Sequence, residues 1–331
     1  MRVLVTGGAG FVGSAVVRRL RARGDGVVAA VRDPDRARAL KGLGCELRRS
    51  DLSSVAEIRT LAAGCEGVIH SAGSYRVGIA PKERPAMEDA NVGATARVLD
   101  AAIAAGVPRI VHVSTVNAFG DTHGRIVDET YRRDPKQGFL SWYDETKYRA
   151  HLIAEARIAA GAPVIVAMPG QVYGPGDHSE VGRMLEWAFR GRLRYSLLTS
   201  VGFCTIHVDD LAAGVVAVLD RGRLGESYVL DGPPVRLAEA LAIAARLGGH
   251  GLPALAIPTG VIRLIAPVAG LLGGRLGLPA DLGEVIRAGD GVTYWASHDK
   301  AARDLGFAPR DLEAGLRATF LGSATGVGGR A

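Results

Sequence analysis

The segment Thr6-Gly7-Gly8-Ala9-Gly10-Phe11-Val12-Gly13 constrains this chain more than any other. It follows the apolar run Val3-Leu4-Val5 and opens an alanine- and arginine-rich stretch, 14–23, that stops at Gly24. Strand, glycine turn and helix in that order form the setting in which such a turn binds a dinucleotide. The spacing fits G-x-G-x-x-G on Gly8, Gly10 and Gly13, or T-G-x-x-G-x-x-G on Gly7, Gly10 and Gly13. The physics is shared: residues without side chains let the backbone turn sharply and approach a pyrophosphate, whose charge sits at the positive end of the helix. A glycine turn alone also suits a plain strand-to-helix connection. Its place after the first strand selects the dinucleotide reading.

The same alternation continues downstream. Short β-branched runs at 27–31, 46–49, 68–70, 109–113 and 164–167 read as strands, and 35–40, 55–63, 91–105 and 143–160 as helices. Strands alternating with helices imply βαβ units and a parallel sheet covered on both faces. The expected fold is therefore α/β, a doubly wound parallel Rossmann sheet with a smaller C-terminal α/β substrate lobe. The Rossmann domain is expected over 1–170, with 205–232 returning to it through a helix at 209–219. Residues 171–204 and 233–321, punctuated by prolines and Gly-Gly pairs, are expected to form the lobe, and 322–331 a flexible tail.

Composition narrows the function classes. With 331 residues, 48% of them hydrophobic, the chain buries a sizeable core without disulfides. Its three cysteines, Cys45, Cys65 and Cys204, form no C-x-x-C, so neither a zinc cluster nor a disulfide framework is expected, and no metal. This usage, with an N-terminus too short in apolar residues for a signal peptide, points to a reducing, cytoplasmic setting. The longest apolar stretch, 257–280, carries Arg263 and Arg275 and is broken by Pro258, Pro267 and Pro279, so no membrane span is expected. A net charge of +6 suits anionic ligands, but acids are interleaved with the basic residues and aromatics are only 5%, which argues against a nucleic-acid surface.

The tip of the second strand discriminates between dinucleotides. An acid there binds the ribose hydroxyls of NAD, whereas an arginine accommodates the 2′-phosphate of NADP. The strand ends Ala30-Val31-Arg32-Asp33-Pro34. Asp33 is the rival acid, but Asp-Pro is also how a helix begins, with Asp as N-cap and Pro at the first position. Arg32 is therefore read as the phosphate clamp, which favours NADP(H) and leaves NAD(H) as the alternative. Arg36, Arg38 and Lys41 either assist or form a solvated face.

Tyr143 and Lys147 lie four positions apart in a helical stretch, which stacks them on one face. A phenol has an ordinary pKa of ~10, and an adjacent ammonium favours its ionised form, making it a general acid or base. The chain is identified here as a member of the extended short-chain dehydrogenase/reductase family, of the NAD-dependent epimerase/dehydratase type. It most resembles the dihydroflavonol reductase-like and 3β-hydroxysteroid dehydrogenase-like branch. The resemblance runs through the glycine turn, Asp51-Leu52, His70-Ser71-Ala72-Gly73, the run from Val113-Ser114-Thr115 to Phe119-Gly120, Tyr143 with Lys147, Pro169 to Asp177, and His207-Val208-Asp209-Asp210-Leu211.

The resemblance implies residue roles. Thr115, Tyr143 and Lys147 are the expected catalytic residues: Tyr143 exchanges a proton with the substrate oxygen, Thr115 orients that oxygen, and Lys147 lowers the tyrosine pKa and binds the nicotinamide ribose. Gly7, Gly10, Phe11, Val12, Gly13, Arg32, Asp51, Leu52, Ser71, Ala72, Gly73, Ser114 and Pro169 join Tyr143 and Lys147 around the cofactor, Asp51-Leu52 at the adenine. Asn91, His112 and His207 are read as structural.

The same residues serve two chemistries, a reductase that exchanges its cofactor and a nucleotide-sugar epimerase or dehydratase that keeps it. Family enzymes acting on nucleotide sugars carry an arginine shortly before the His-Val-Asp-Asp segment, and residues 201–206 contain none, leaving Arg183, Arg190, Arg192 or Arg194 as substitutes. Residues 252–282 are apolar enough to line a pocket or to build the lobe's own core. The segment 70–76, with 301–309, resembles members described as hopanoid-associated sugar epimerases. The expected function is NADP(H)-dependent interconversion of a carbonyl and a secondary alcohol on a small, fairly apolar substrate. The alternatives are a nucleotide-sugar epimerase or dehydratase and a non-catalytic dinucleotide sensor. Leu152, Ile153, Ala156 and Ile158 allow a homodimer through the Tyr-Lys helix.

Overall fold

Strand β1 (Arg2–Thr6) carries Val3, Leu4 and Val5 with no solvent exposure, as a strand covered on both faces must. The computed structural model describes residues 1–253, 257–264 and 279–322. Around β1, the parallel strands β2 (Gly26–Val31), β3 (Glu46–Arg49), β4 (Gly67–His70), β5 (Ile110–Val113), β6 (Val164–Pro169) and β9 (Ser227–Leu230) form one seven-stranded sheet in the order β3-β2-β1-β4-β5-β6-β9. One face buries α3 (Val55–Ala62), α5 (Ala94–Ala104) and α6 (Trp142–Ala159) through Ile58, Val98, Leu99 and Ala154. The other buries α1 (Phe11–Ala22), α8 (Val208–Arg221) and α11 (Asp299–Leu305) through Val16, Leu20, Leu211, Val215 and Leu305. The strand order reverses between β1 and β4, and the crevice at the carboxyl ends of strands at such a reversal is where open α/β sheets bind ligands.

A smaller mixed sheet is built around β8 (Gly202–His207). It pairs parallel with β7 (Gln171–Tyr173) and β11 (Thr293–Tyr294) and antiparallel with β10 (Pro234–Arg236). Helices α7 (Glu180–Phe189), α9 (Leu237–Leu247), α10 (Leu282–Gly289) and α12 (Leu312–Leu321) accompany it. Gly202 permits this pairing: a Cβ there would lie 2.7 Å from the Trp295 indole nitrogen.

Two elements differ from the sequence expectation. The helix expected at 35–40 is α2 (Arg38–Gly42), preceded by a turn. That turn is closed by Asp33 Oδ1, which accepts the backbone N–H of Asp35 at 3.0 Å and of Arg36 at 3.4 Å. The long helix expected over 91–105 starts with a π-turn, Asp89–Gly93, and becomes α-helical as α5. Of the expected tail, only Gly322 is described. Much of the expected apolar pocket segment, residues 254–256 and 265–278, also lies outside the described residues. No described helix is long and apolar enough to cross a membrane, and the described residues hold no cluster of His, Cys, Asp and Glu suited to a metal.

Candidate active site

The glycine turn sits at the strand-order reversal, pressed against the segment after β4. Gly7 has φ +70°, and a Cβ there would stand 2.7 Å from the Ala72 backbone. A Cβ on Gly13 would stand 2.1 Å from the Gly7 carbonyl oxygen and 2.9 Å from Ser71 Oγ. These glycines are thus required by the protein's own backbone as well as by any ligand. Ser71 Oγ donates to the Thr6 carbonyl at 2.8 Å, fixing the two segments together. Helix α1 begins at N-cap Gly10 with no side-chain cap and no acid in its first turn, so its N-terminal N–H groups remain available to an anion.

The loop after β3, expected at the adenine, carries its own signature. Leu52 adopts φ +62°, a left-handed conformation costly for a branched residue. It is held there by Ser50 Oγ, which accepts its N–H at 3.2 Å, and by Arg97 Nε, which donates to its carbonyl at 2.6 Å. Asp51 is exposed beside it, its carboxyl held below the usual range by the Ser53 hydroxyl and N–H. At the tip of β2, Arg32 is exposed and has no ion-pair partner among the described residues, whereas Arg36 lies 3.4 Å from Asp33 and Arg38 3.4 Å from Asp35. These features fit a dinucleotide: a glycine cradle at a bare helix N-terminus, a strained loop after β3 and, at the tip of β2, a guanidinium with no ion-pair partner among the described residues.

The strand ends bring Thr115, Tyr143 and Lys147 together. Thr115 closes β5 as the N-cap of a 3₁₀ turn, and its hydroxyl lies 3.3 Å from the Pro169 carbonyl oxygen. Ser141 caps α6 by accepting the Asp144 N–H at 3.0 Å, which places Tyr143 and Lys147 on the buried face of the helix. Ser114 Oγ instead meets His151 Nδ1 at 3.1 Å. Thr115 Oγ1 is near enough to Tyr143 to draw the phenol's pKa down, but burial outweighs it, and Tyr75 pushes the same way as burial. The net direction is upward. Burial is the largest influence on the phenol and Lys147 is not among the groups acting on it; its Nζ donates to the Val113 carbonyl at 3.1 Å. Lys147 itself is lowered to about 8 by burial.

The surrounding polar residues are held in the scaffold by hydrogen bonds, except His112, whose two ring nitrogens have no partner among the described residues. Asn91 Oδ1 accepts the Ser74 N–H at 2.7 Å and Nδ2 donates to Thr146 Oγ1 at 2.9 Å, tying the segment after β4 to α6. His70 lies between Thr6 Oγ1, 2.7 Å from Nδ1, and Thr95 Oγ1, 3.1 Å from Nε2, and burial lowers its pKa to about 3. His112, stacked on His70 at 5.5 Å, is also held far below the usual histidine range by burial. Neither ring is charged near neutral pH. His207 accepts the Asp209 N–H at 3.2 Å as the cap of α8.

Above Tyr143 lies a narrow cleft. Tyr75, Val77, Val116, Phe203, Ala288 and Tyr294 supply its apolar wall, and Asn117, Ser141, Gln171 and Cys204 its polar groups. Among the described residues, no lining side chain is charged. The Tyr75 ring meets that of Tyr143 edge-on, with centroids 4.8 Å apart. Tyr75, Phe203 and Tyr294 were not singled out by their sequence, since they come from three separate segments. Also unforeseen is the buried pair in which Arg133 Nη1 and Nη2 donate to the two carboxylate oxygens of Asp144 at 2.9 and 3.1 Å, locking the loop 121–141 onto α6. Of the arginines considered for a diphosphate, Arg183 pairs with Glu180 and Arg190 with Glu186. None of the four lines the cleft.

Comparison with known proteins agrees with this geometry. The model of the NAD dependent epimerase/dehydratase family matches residues 3–230. The chain is 31% identical over 268 residues to the sterol demethylase protein B of Methylococcus capsulatus, covering 80% of each chain. It is 31% identical over 320 residues to the 4-hydroxy-2-methyl-3-oxo-4-farnesyl-3,4-dihydroquinoline-1-oxide ketoreductase of Stigmatella aurantiaca, covering 94% of this chain and 92% of that one. The crystal structure of gox2253 superposes with a TM-score of 0.81 at 30% identity over 97% of both chains. The chain belongs to the NAD dependent epimerase/dehydratase family and is an NAD(P)-dependent oxidoreductase of the extended short-chain type.

Proposed function

We propose that this family member is an NADP(H)-dependent carbonyl reductase or alcohol dehydrogenase acting on a small, largely apolar substrate, with Thr115, Tyr143 and Lys147 as its catalytic residues. The observation that carries the reading is the cleft above Tyr143, walled by Tyr75, Val77, Phe203 and Tyr294 and, among the described residues, lined by no charged side chain. A nucleotide-sugar diphosphate wants a bidentate guanidinium, and the arginines nearest in sequence are paired elsewhere or lie outside the cleft. The Methylococcus and Stigmatella relatives, named for a sterol and a farnesyl quinoline ketone, support an apolar carbonyl compound.

The chain's own groups account for the proton. A nicotinamide held at the glycine turn and the strand ends would supply the hydride chemistry, as donor in reduction or acceptor in oxidation. Tyr143 donates its phenolic proton to the oxygen on which charge develops, and Thr115 offers a second donor beside it. Burial raises the phenol's pKa, so Tyr143 holds its proton near neutral pH and is suited to the reductive direction. Lys147, whose Nζ donates to the Val113 carbonyl, binds the nicotinamide ribose in this reading. Phe11 and Val12 at the glycine turn, and Ser71, Ala72, Gly73, Ser114 and Pro169 at the strand ends, border the cofactor in this reading. Arg32 binds the 2′-phosphate. Three buried free cysteines agree with a cytoplasmic setting, and half-exposed Leu152 on α6 with a homodimer.

The test begins with the nucleotide released on denaturing the purified protein. Empty protein or NADP supports exchangeable cofactor. Stoichiometric NAD would overturn the NADP reading and move the chemistry to an internal epimerisation or dehydration. NADPH oxidation is then followed with apolar ketones, where Tyr143→Phe abolishes turnover and spares NADPH binding. Arg32→Ser weakens NADPH by ~10- to 100-fold and leaves NADH unchanged, as expected for loss of a charge-assisted contact of ~1.5–3 kcal/mol.

A further inference from the structure

We propose that Glu284 is a positioning residue, a carboxylate from the substrate lobe that holds the first turn of α6, and with it Tyr143, in place for proton transfer. The proposal rests on Tyr143 being the proton donor. Glu284 sits on α10 and is buried, 1% exposed. Its Oε1 accepts the backbone N–H of Trp142 at 2.8 Å. Trp142 is the first residue of α6 and the immediate neighbour of Tyr143. The first N–H groups of a helix have no acceptor inside it, and the Ser141 hydroxyl is already occupied by the Asp144 N–H. The lobe therefore supplies what α6 lacks at the point where Tyr143 leaves the backbone, and an anion there also matches the helix dipole.

Trp142 is gripped on three sides. Its indole N–H donates to the Arg84 carbonyl at 3.1 Å, the Arg84 guanidinium lies 5.4 Å over its ring, and Glu284 holds its main chain. Arg84 also stands 3.6 Å from Glu284 Oε2, an oxygen with no hydrogen-bond partner among the described residues. A buried carboxylate left half-satisfied is a poor choice for stability alone.

What sets Glu284 apart is its helix. Ala288, one turn on, lines the cleft, and its carbonyl accepts the Tyr294 hydroxyl at 3.3 Å. At the other end of α10, the Asp281 N–H donates to the Gly78 carbonyl at 3.0 Å, in the loop that carries Tyr75 and Val77. One helix thus touches the substrate wall, the loop opposite and the start of the catalytic helix. A substrate seated against Ala288 and Tyr294 presses on the element that fixes Tyr143. Misplacing a reacting group by about an ångström costs ~100-fold in rate.

Three variants separate the acceptor from the charge. Glu284→Gln keeps an acceptor oxygen at the same reach. Glu284→Asp keeps the charge and withdraws it by one methylene, and Glu284→Ala removes both. Positioning through the acceptor predicts kcat in the order Gln above Asp and Ala, with Asp and Ala down ~10- to 100-fold and the KM values for NADPH and ketone within about threefold. Amide exchange over residues 141–147 of the NADPH-bound protein should quicken in Asp and Ala but not in Gln. An Asp variant more active than Gln would assign the effect to charge and overturn the proposal, as would a loss confined to KM. Should no ketone be reduced by the wild-type protein, the function fails but the exchange data still decide. Unchanged exchange in both Asp and Ala overturns the proposal; selective quickening sustains the hold on α6.

Discussion

Replacing Lys147 with methionine separates what the ammonium costs the fold from what it gives the reaction. Lys147 is buried on α6, and burial lowers its pKa from an ordinary 10.5 to about 8. Between those values the unfolded chain binds more protons than the folded one, so wild-type stability rises with pH across that window. Below pH 8 both states are charged and the penalty is present in full. The gap of roughly 2.5 pH units (10.5 less 8), at about 1.4 kcal/mol each, is worth about 3 kcal/mol. Methionine keeps the length and removes the charge, but it deprives the Val113 carbonyl of the Nζ donor now at 3.1 Å, which costs about 1–2 kcal/mol.

The net expectation at pH 7 is a variant more stable by about 1–2 kcal/mol, a rise of roughly 2–4 °C in Tm for a chain of this size, with carbonyl reduction lost. Cofactor-free wild type and variant would be unfolded in urea at pH 7, 8, 9 and 10, within the range where each refolds. The variant's advantage should shrink as pH rises and reverse near pH 10, where the buried lysine is neutral in the wild type. A variant less stable than wild type at pH 7, or a difference independent of pH, would refute the claim that burial sets the state of Lys147.

Two further outcomes follow from close packing and buried charge. Gly13→Ala drives a Cβ to 2.1 Å from the Gly7 carbonyl oxygen and should abolish NADPH binding in a fluorescence titration, whereas Gly10→Ala, whose Cβ meets the same oxygen at 3.2 Å, should weaken it only partly. Asp144→Leu leaves Arg133, 4% exposed at its side chain, without its buried carboxylate. It should cost about 3–5 kcal/mol in urea unfolding, and the single variant should be less stable than the double variant that also carries Arg133→Met.

The sequence made local features legible and left depth and distance hidden. Apolar runs such as Val3-Leu4-Val5 and the glycine turn encode β1, α1 and the crevice between them within a dozen residues, because buried parallel strands and helix starts are written in short-range composition. The cleft is written nowhere locally. Tyr75, Phe203 and Tyr294 meet only through the pairing of β8 with β11 and the packing of the loop after β4, and Glu284 reaches Trp142 across 142 positions. Nor does spacing report burial. The i, i+4 relation of Tyr143 and Lys147 correctly places both on one face of α6, yet it suggests an ammonium pulling the phenol's pKa down.

In the folded protein the single cause that matters more, removal of both groups from water, acts on them with opposite sign. It disfavours the phenolate and so raises Tyr143, and it disfavours the ammonium and so lowers Lys147. Two groups that would titrate within half a unit of each other in water are thereby driven apart. Burial thus favours the protonated phenol and the neutral amine. In the proposed reaction, the proton that a carbonyl oxygen needs then rests on Tyr143. Under the proposed function, a separation that rests on burial depends on the site staying dry, which gives the wall of Tyr75, Val77, Phe203 and Tyr294 a part in the chemistry as well as in the choice of substrate.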